Sequence, residues 1–326
     1  MLNTPNPTPV LCHASKKQEK STGEASLIAA ARGRIFASTV MTEILYVSDL
    51  DGTLLQEGAT VSPTSRRILS SLLAEGLPLT VASARSVVSM QQMLAGIGLK
   101  LPVIEFNGAF LSDLDTGKHT WICALEPQLS VEILAAIRAC GHTPFVSTFD
   151  GERDRLYCGA SQNPGMDWYI HDRQQSCDDR LTPVTDVGQG LADQIVCFTV
   201  IDREAPLRSL ETQLKGGWGS QIKLHNQENR YFSGWFWLTV HHLHATKDRA
   251  VSRLLSQLDF VGAEVVAFGD EENDMGLFDL ADRPVAVANA IPALKERATE
   301  VIGPNTQDSV ALYLQADWRA RCERRG

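Results

Sequence analysis

Asp49 and Asp51 stand two residues apart at the end of the run Ile44-Leu45-Tyr46-Val47-Ser48, and Gly52 and Thr53 follow them. Two carboxylates held that close repel each other unless a cation lies between them or one keeps its proton. Either arrangement serves an enzyme, and neither serves a core. Far along the chain Gly269-Asp270-Glu271-Glu272-Asn273-Asp274 again closes an apolar run with acids. Ser83 and Asn107 stand at the ends of two further apolar runs, followed by Arg85 and by Gly108 respectively.

These positions require strands that deliver them and turns that redirect the chain. The run before Asp49 reads as a buried strand. Ser62-Pro63 reads as an N-cap with Pro at the first helical position, and Ile68, Leu69, Leu72 and Leu73 continue the helix to Gly76. Strands over 77–82 and 102–106, with a helix between them, complete a strand-helix-strand-helix-strand order. That order predicts a parallel sheet with helices on its faces, in which ligands gather at the C-terminal strand ends. The same character resumes at Lys247, whose helix carries Ala250, Val251, Leu254, Leu255 and Leu258. A strand over 263–268 ends at Asp270, and 285–287 makes a last short strand. The fold class expected is therefore α/β, a doubly wound parallel-sheet core with a smaller α/β domain inserted.

The insertion is the loosely patterned region 122–240, between core segments 42–121 and 241–326. Helices are expected there over 130–140 and 204–214, and strands over 143–148, 155–159, 194–201 and 221–225. The polar stretch 174–189 is expected to be a surface loop. Trp235, Phe236, Trp237, Leu238 and Val240 read as a buried strand or one packed between the two units. Residues 1–41 are polar, with Pro5, Pro7, Pro9 and a Lys16-Lys17 pair, then Ala-rich. They read as a disordered or targeting extension.

The 326 residues carry a net charge of -9, which argues against a nucleic-acid surface. No segment approaches the roughly 20 apolar residues of a membrane span. Seven cysteines are scattered without a Cys-x-x-Cys pair, the pattern of free thiols in a reducing, cytoplasmic compartment; organellar import through the extension is the alternative. His241, His242 and His244 invite a zinc reading, but no third ligand accompanies the two that share a strand face.

Asp49-Leu50-Asp51-Gly52-Thr53 resembles the first motif of the haloacid dehalogenase-like superfamily. Ser83, Lys247 and Gly269-Asp270-Glu271-Glu272-Asn273-Asp274 fall in the order of its second, third and fourth motifs. Asn107-Gly108-Ala109, Asn289-Ala290 and Asn305-Thr306 look like its Cof-type phosphatase branch. The resemblance covers about 43 to 315 and implies a type-two α/β cap. It implies Mg²⁺ held by Asp49, Asp270 and the Asp51 carbonyl, with Asp49 as nucleophile and Asp51 as general acid and base at a raised pKa. Lys247 is then the catalytic cation, and Ser83, Asn107, Gly108 and Asn273 are phosphate or substrate contacts. Thr53, Arg85 and Asp274 support them. The expected substrate is a small phosphomonoester, such as a sugar phosphate, with no nucleic acid, no membrane and no readable oligomeric state. A phosphomutase, or a non-enzymatic binder of phosphorylated metabolites, would use the same scaffold.

Overall fold

The computed structural model describes residues 44–325; the expected extension over 1–41 lies outside them. Strand β1 (Ile44–Ser48) leads to α1 (Pro63–Ala74), β2 (Leu79–Val81), α2 (Val87–Leu94), β3 (Val103–Glu105), β4 (Phe110–Ser112) and β5 (His119–Ile122). Then come α3 (Pro127–Ala139), β6 (Phe145–Phe149), β7 (Asp154–Cys158), α4 (Pro164–Gln175), β8 (Leu181–Pro183), β9 (Gln194–Asp202), α5 (Glu204–Trp218), β10 (Ile222–Glu228) and β11 (Phe236–His242). The chain returns through α6 (Lys247–Gln257), β12 (Glu264–Gly269), α7 (Met275–Leu280), β13 (Arg283–Val287), α8 (Pro292–Lys295), β14 (Glu300–Ile302) and α9 (Ser309–Arg325).

The first sheet runs β14-β13-β12-β1-β2 and is parallel throughout. Every residue of β1 is buried, as a central strand covered on both faces requires. Leu45 and Val47 of β1 join Leu69 and Leu72 of α1, Val251 and Leu254 of α6, and Leu314 of α9 in one core. Each such side chain contributes about 1.5–3 kcal/mol by leaving water. The N-cap of α1 is as expected, with Ser62 accepting from the Ser65 amide.

The strand expected over 102–106 differs from its expectation. β3 pairs antiparallel with β4, and β4 with β5, in a small separate sheet. A single parallel bridge from Ala82 to Ile104 ties it to the end of β2. The chain turns back at Phe106 and Asn107, both at positive φ, so β3 is too short to extend the parallel ladder.

The six-stranded sheet β10-β11-β9-β6-β7-β8 is antiparallel except for β7 with β8. Ile133 and Ile137 of α3 and Leu207, Leu210 and Leu214 of α5 cover one face, meeting Val146, Phe198, Val200, Leu238 and Val240. α4 packs near the opposite face through Met166, beside Phe145, Ile201 and Trp235. The polar stretch expected to be only loop contains the end of α4 and the edge strand β8. β11 runs through His242, so the chain leaves the inserted sheet within 243–246.

Candidate active site

The register of the parallel sheet brings the acids together. β1 pairs with β12, Ser48 opposite Phe268, and the Asp49 amide donates to the Phe268 carbonyl at 3.0 Å. The Ala82 amide donates to the Ser48 carbonyl at 2.9 Å, and the Asn107 amide to the Ser83 carbonyl at 2.9 Å. Asp49, Ser83, Asn107 and Asp270 thus stand at neighbouring strand ends, and all four are buried. Gly52 turns the chain at φ +82°, where a side chain would run into Asp270 and Arg230. Asn289 holds that turn, its Nδ2 donating to the Gly52 carbonyl at 2.7 Å.

Lys247 opens α6, where the helix dipole disfavours an uncompensated cation. Its Nζ donates to Asp49 Oδ1 at 2.6 Å and Asp274 Oδ1 at 2.7 Å. Asp274 Oδ2 also accepts from the Asp270 and Glu271 amides at 3.0 and 3.2 Å. Asp274 is therefore an anchor for the lysine and for the turn. Thr53 Oγ1 donates to Asp270 Oδ1 at 3.3 Å. Asn273 Nδ2 donates to Asn107 Oδ1 at 3.0 Å, and Ser83 Oγ accepts from the Arg85 amide at 3.1 Å. Gly108 is outside the cavity wall. At φ +117° it packs on the Thr246 backbone, with no room for a Cβ, and so seats the start of α6.

The electrostatics leave room for a cation. One oxygen from each of Asp49, Asp270 and Asp274 lies within 4.8 Å of the others. Burial raises the Asp49 carboxyl well above its ordinary range; the Lys247 charge opposes this, and Asp274 and Asp270 reinforce it. Burial likewise pushes Asp270 up to about 6 despite Arg230. Lys247 and Arg230 together bring two positive charges to these three acids. With Asp274 saturated by its donors, Asp49 and Asp270 are the carboxylates suited to a hard divalent cation.

Asp51 corrects an expectation. Burial raises its carboxyl, but Arg85 and the Tyr231 hydroxyl outweigh this and hold it below the usual carboxylate range. Arg85 Nε and Nη2 grip its two oxygens at 2.6 Å each, and Tyr231 Oη donates to Oδ1 at 2.7 Å. The raised pKa expected of a resting general acid is therefore absent while this fork is closed. Arg85, expected to support the phosphate contacts, is a partner of Asp51 beside the site.

Tyr231 and Arg230 are the residues that sequence reasoning missed. They lie between β10 and β11, yet reach the strand ends of the first sheet. Arg230 Nη2 pairs with Asp270 Oδ2 at 2.5 Å and Glu271 Oε1 at 3.1 Å. The available signal was a polar Asn229-Arg230-Tyr231 run between two strands, which by itself names no destination. The histidines part ways: His241 Nδ1 meets the Val196 carbonyl at 3.1 Å, and His242 Nδ1 accepts from the His244 amide at 3.1 Å. Among the described residues, the acids above form the three-ligand group that suits a metal.

A cavity of about 810 Å³ joins these acids to the inserted sheet. Residues 46–314 match the family model described as haloacid dehalogenase-like hydrolase. The chain belongs to that family. This hydrolase is 24% identical over 297 residues to the 5-amino-6-(5-phospho-D-ribitylamino)uracil phosphatase YwtE of Bacillus subtilis, covering 82% of this chain and 95% of that protein. It is 27% identical over 280 residues to the HMP-PP phosphatase of Serratia proteamaculans, covering 83% and 94%. Its fold is similar to that of a crystal structure from Thermotoga maritima, with a TM-score of 0.68 and 24% identity over 84% of this chain and 97% of that one.

Proposed function

We propose that this hydrolase is a Mg²⁺-dependent phosphatase of small phosphomonoesters, with sugar phosphates the first class to test. The observation that carries this is Lys247 Nζ clamped between Asp49 and Asp274, with Asp270 beside them. The phosphatase names of its relatives support the reading. Residues 122–240 are the proposed cap, with 42–121 and 241–326 as the core. Cysteines among the described residues are all free, which suits a cytoplasmic setting.

Asp49 and Asp270, with the Asp51 carbonyl, would hold Mg²⁺, which when bound offsets the repulsion between carboxylate and phosphate dianion. Lys247 fixes Asp49 so that one oxygen faces phosphorus. Attack forms an aspartyl-phosphate as the ester P–O bond breaks. Ser83, Asn107 and Asn273 orient the phosphoryl oxygens. Asp51 gives a proton to the departing oxygen, then takes one from the water that hydrolyses the intermediate. For that, its fork with Arg85 and Tyr231 must open when substrate enters, so that the carboxylate takes up a proton from solvent before the ester bond breaks and Arg85 is freed to meet phosphate.

The test is phosphate release from a panel of phosphomonoesters with and without Mg²⁺. Asp49→Asn is expected to abolish turnover. Asp51→Asn is expected to cut it by roughly 10²–10⁴-fold, the usual reach of acid–base catalysis, while Mg²⁺ still binds. Full activity of Asp51→Asn overturns the acid–base role, and release from no ester overturns the phosphatase reading.

A further inference from the structure

The inserted sheet has two unlike faces. Along β11, Leu238 and Val240 enter the apolar core under α3 and α5. Their neighbours Trp237, Thr239 and His241 line the cavity, as alternation along a strand requires. Cross-strand neighbours extend this second face, with His225 opposite Thr239 and Thr239 opposite Thr199. An interior face built of imidazole and hydroxyl groups costs stability unless each polar atom finds a partner.

Some do. His241 Nδ1 bonds the Val196 carbonyl, and Cys197 Sγ lies 3.4 Å from Thr199 Oγ1. Two do not. His225 Nε2 and Thr239 Oγ1 are buried and lack a hydrogen-bond partner. They sit on directly paired residues, and both residues line the cavity whose other end holds Asp49 and Asp270. An unmade bond at such an atom costs stability, and a ligand atom that bonds it removes that cost.

The wall also says what the ligand lacks. On the inserted domain's part of the wall, the described charged side chains are already engaged. Arg173 pairs with Asp172, and Arg180 with Asp178. Glu228 accepts from Ser233 and the Gly234 amide. Burial holds His225 down to about 3, with the His241, Lys223 and Lys247 charges adding to it, so its ring is neutral. Trp237, edge-on to Trp168 at 6.0 Å, adds an apolar surface.

We propose that His225 Nε2 and Thr239 Oγ1 form a leaving-group subsite, and that it takes an uncharged, hydroxyl-bearing group with one apolar face against Trp237. This rests on the phosphatase reading for the phosphate end alone. Among the described residues of the inserted sheet's side of this wall, a leaving group that carries a second phosphate or a carboxylate would meet arginines already paired with acids.

The experiment measures affinity in an Asp49→Asn background with saturating Mg²⁺, by calorimetry, for inorganic phosphate, a pentose phosphate, a hexose phosphate, a nucleoside monophosphate, phosphoserine and a sugar bisphosphate. At least one ester with an uncharged leaving group is expected to bind about tenfold or more tighter than inorganic phosphate, the worth of about 1.4 kcal/mol. Phosphoserine and the bisphosphate gain nothing. Adding Thr239→Val or His225→Phe is expected to bring the ratio below about threefold, the loss of one buried hydrogen bond. Thr239→Ser keeps the hydroxyl and keeps the ratio. The proposal is overturned if no uncharged-group ester beats inorganic phosphate, if the doubly anionic esters bind best, or if both added variants leave the ratio intact. A protein that shows the gain while the parent releases no phosphate overturns the catalytic reading alone. One that turns esters over without the gain overturns the subsite alone.

Discussion

Arg230 Nη2 lies 2.5 Å from Asp270 Oδ2, so an arginine from the inserted sheet's β10–β11 connection pairs with an acid at the tip of β12. The guanidinium stands over Gly52, against the carboxylate proposed to hold the metal. A metal at the proposed site would compete with the arginine for one oxygen. Replacing Arg230 with Ala is expected to tighten Mg²⁺ binding by roughly 3- to 10-fold, since a charge-assisted hydrogen bond is worth about 1.5–3 kcal/mol before exposure discounts it. A metal on Asp270 would release Arg230 toward the phosphate, so the same change is also expected to raise KM for the ester about tenfold. Mg²⁺ titrations followed by calorimetry and by phosphate release check both. Unchanged Mg²⁺ affinity would show that the pair does not compete with metal.

Lys247 is the reverse case, a cation that the fold cannot spare. It is 1% exposed and bonded to two buried acids. Lys247→Met leaves Asp49 and Asp274 without their shared donor. Breaking a buried pair typically costs about 3–5 kcal/mol. Urea unfolding should register that loss, and added Mg²⁺ should return part of it by binding Asp49 and Asp270. A variant as stable as the parent without metal would mean that the acids are neutralised by protons instead.

A second buried chain runs from α2 to the inserted sheet. Glu105 accepts from the Val87 amide and from Ser112. His119 Nδ1 lies 3.5 Å from Glu105 Oε1, and its Nε2 is 2.8 Å from Asp154 Oδ1 at the start of β7. Burial pushes Glu105 up to about 7 from the ordinary 4.5, against the charge of His119, with Asp154 adding to the rise. Between those values the folded protein binds a proton that the unfolded chain does not. Stability should therefore fall as pH rises through that window, with the Glu105 part of the loss complete above about 7. His119 is raised too, with Asp154 and Glu105 outweighing burial, so its contribution also fades as pH rises. The slope should amount to about 1–3 kcal/mol, and Glu105→Gln should flatten most of it. Unfolding midpoints measured from pH 5 to pH 8 decide this; a parent protein with no slope would contradict it.

Much of the core was legible because local pattern and tertiary role agree there. β1 and β12 are apolar runs that end on an acid, and a parallel sheet places such ends side by side. The cation at the start of α6 required nearby anions, and Asp49 and Asp274 supply them. Elsewhere the determining contact is distant in sequence. The Asp51 carboxyl is held low by Arg85 and Tyr231, and no spacing rule connects residue 51 with residue 231. β3 was read as a sheet member from its apolar run, but the positive φ at Phe106 and Asn107 turns it into an antiparallel partner of β4. α4 carried a start signal, with Asn163 accepting from the Met166 amide and Pro164 at the first turn. Its weak apolar period hid it, since its only buried residues are Gly165 and Met166.

The two-faced strand β11 has a consequence for how this protein can change over generations. Residues that hold the fold and residues that meet the ligand alternate along it, so the two are separable letter by letter. Saturation mutagenesis across 237–241 should read as a comb, with abundance lost at Leu238 and Val240 and substrate preference altered at Trp237, Thr239 and His241. A lineage with that comb can drift toward new leaving groups while its folding reserve stays intact. A one-residue slip in register would exchange the two sets and lose both at once.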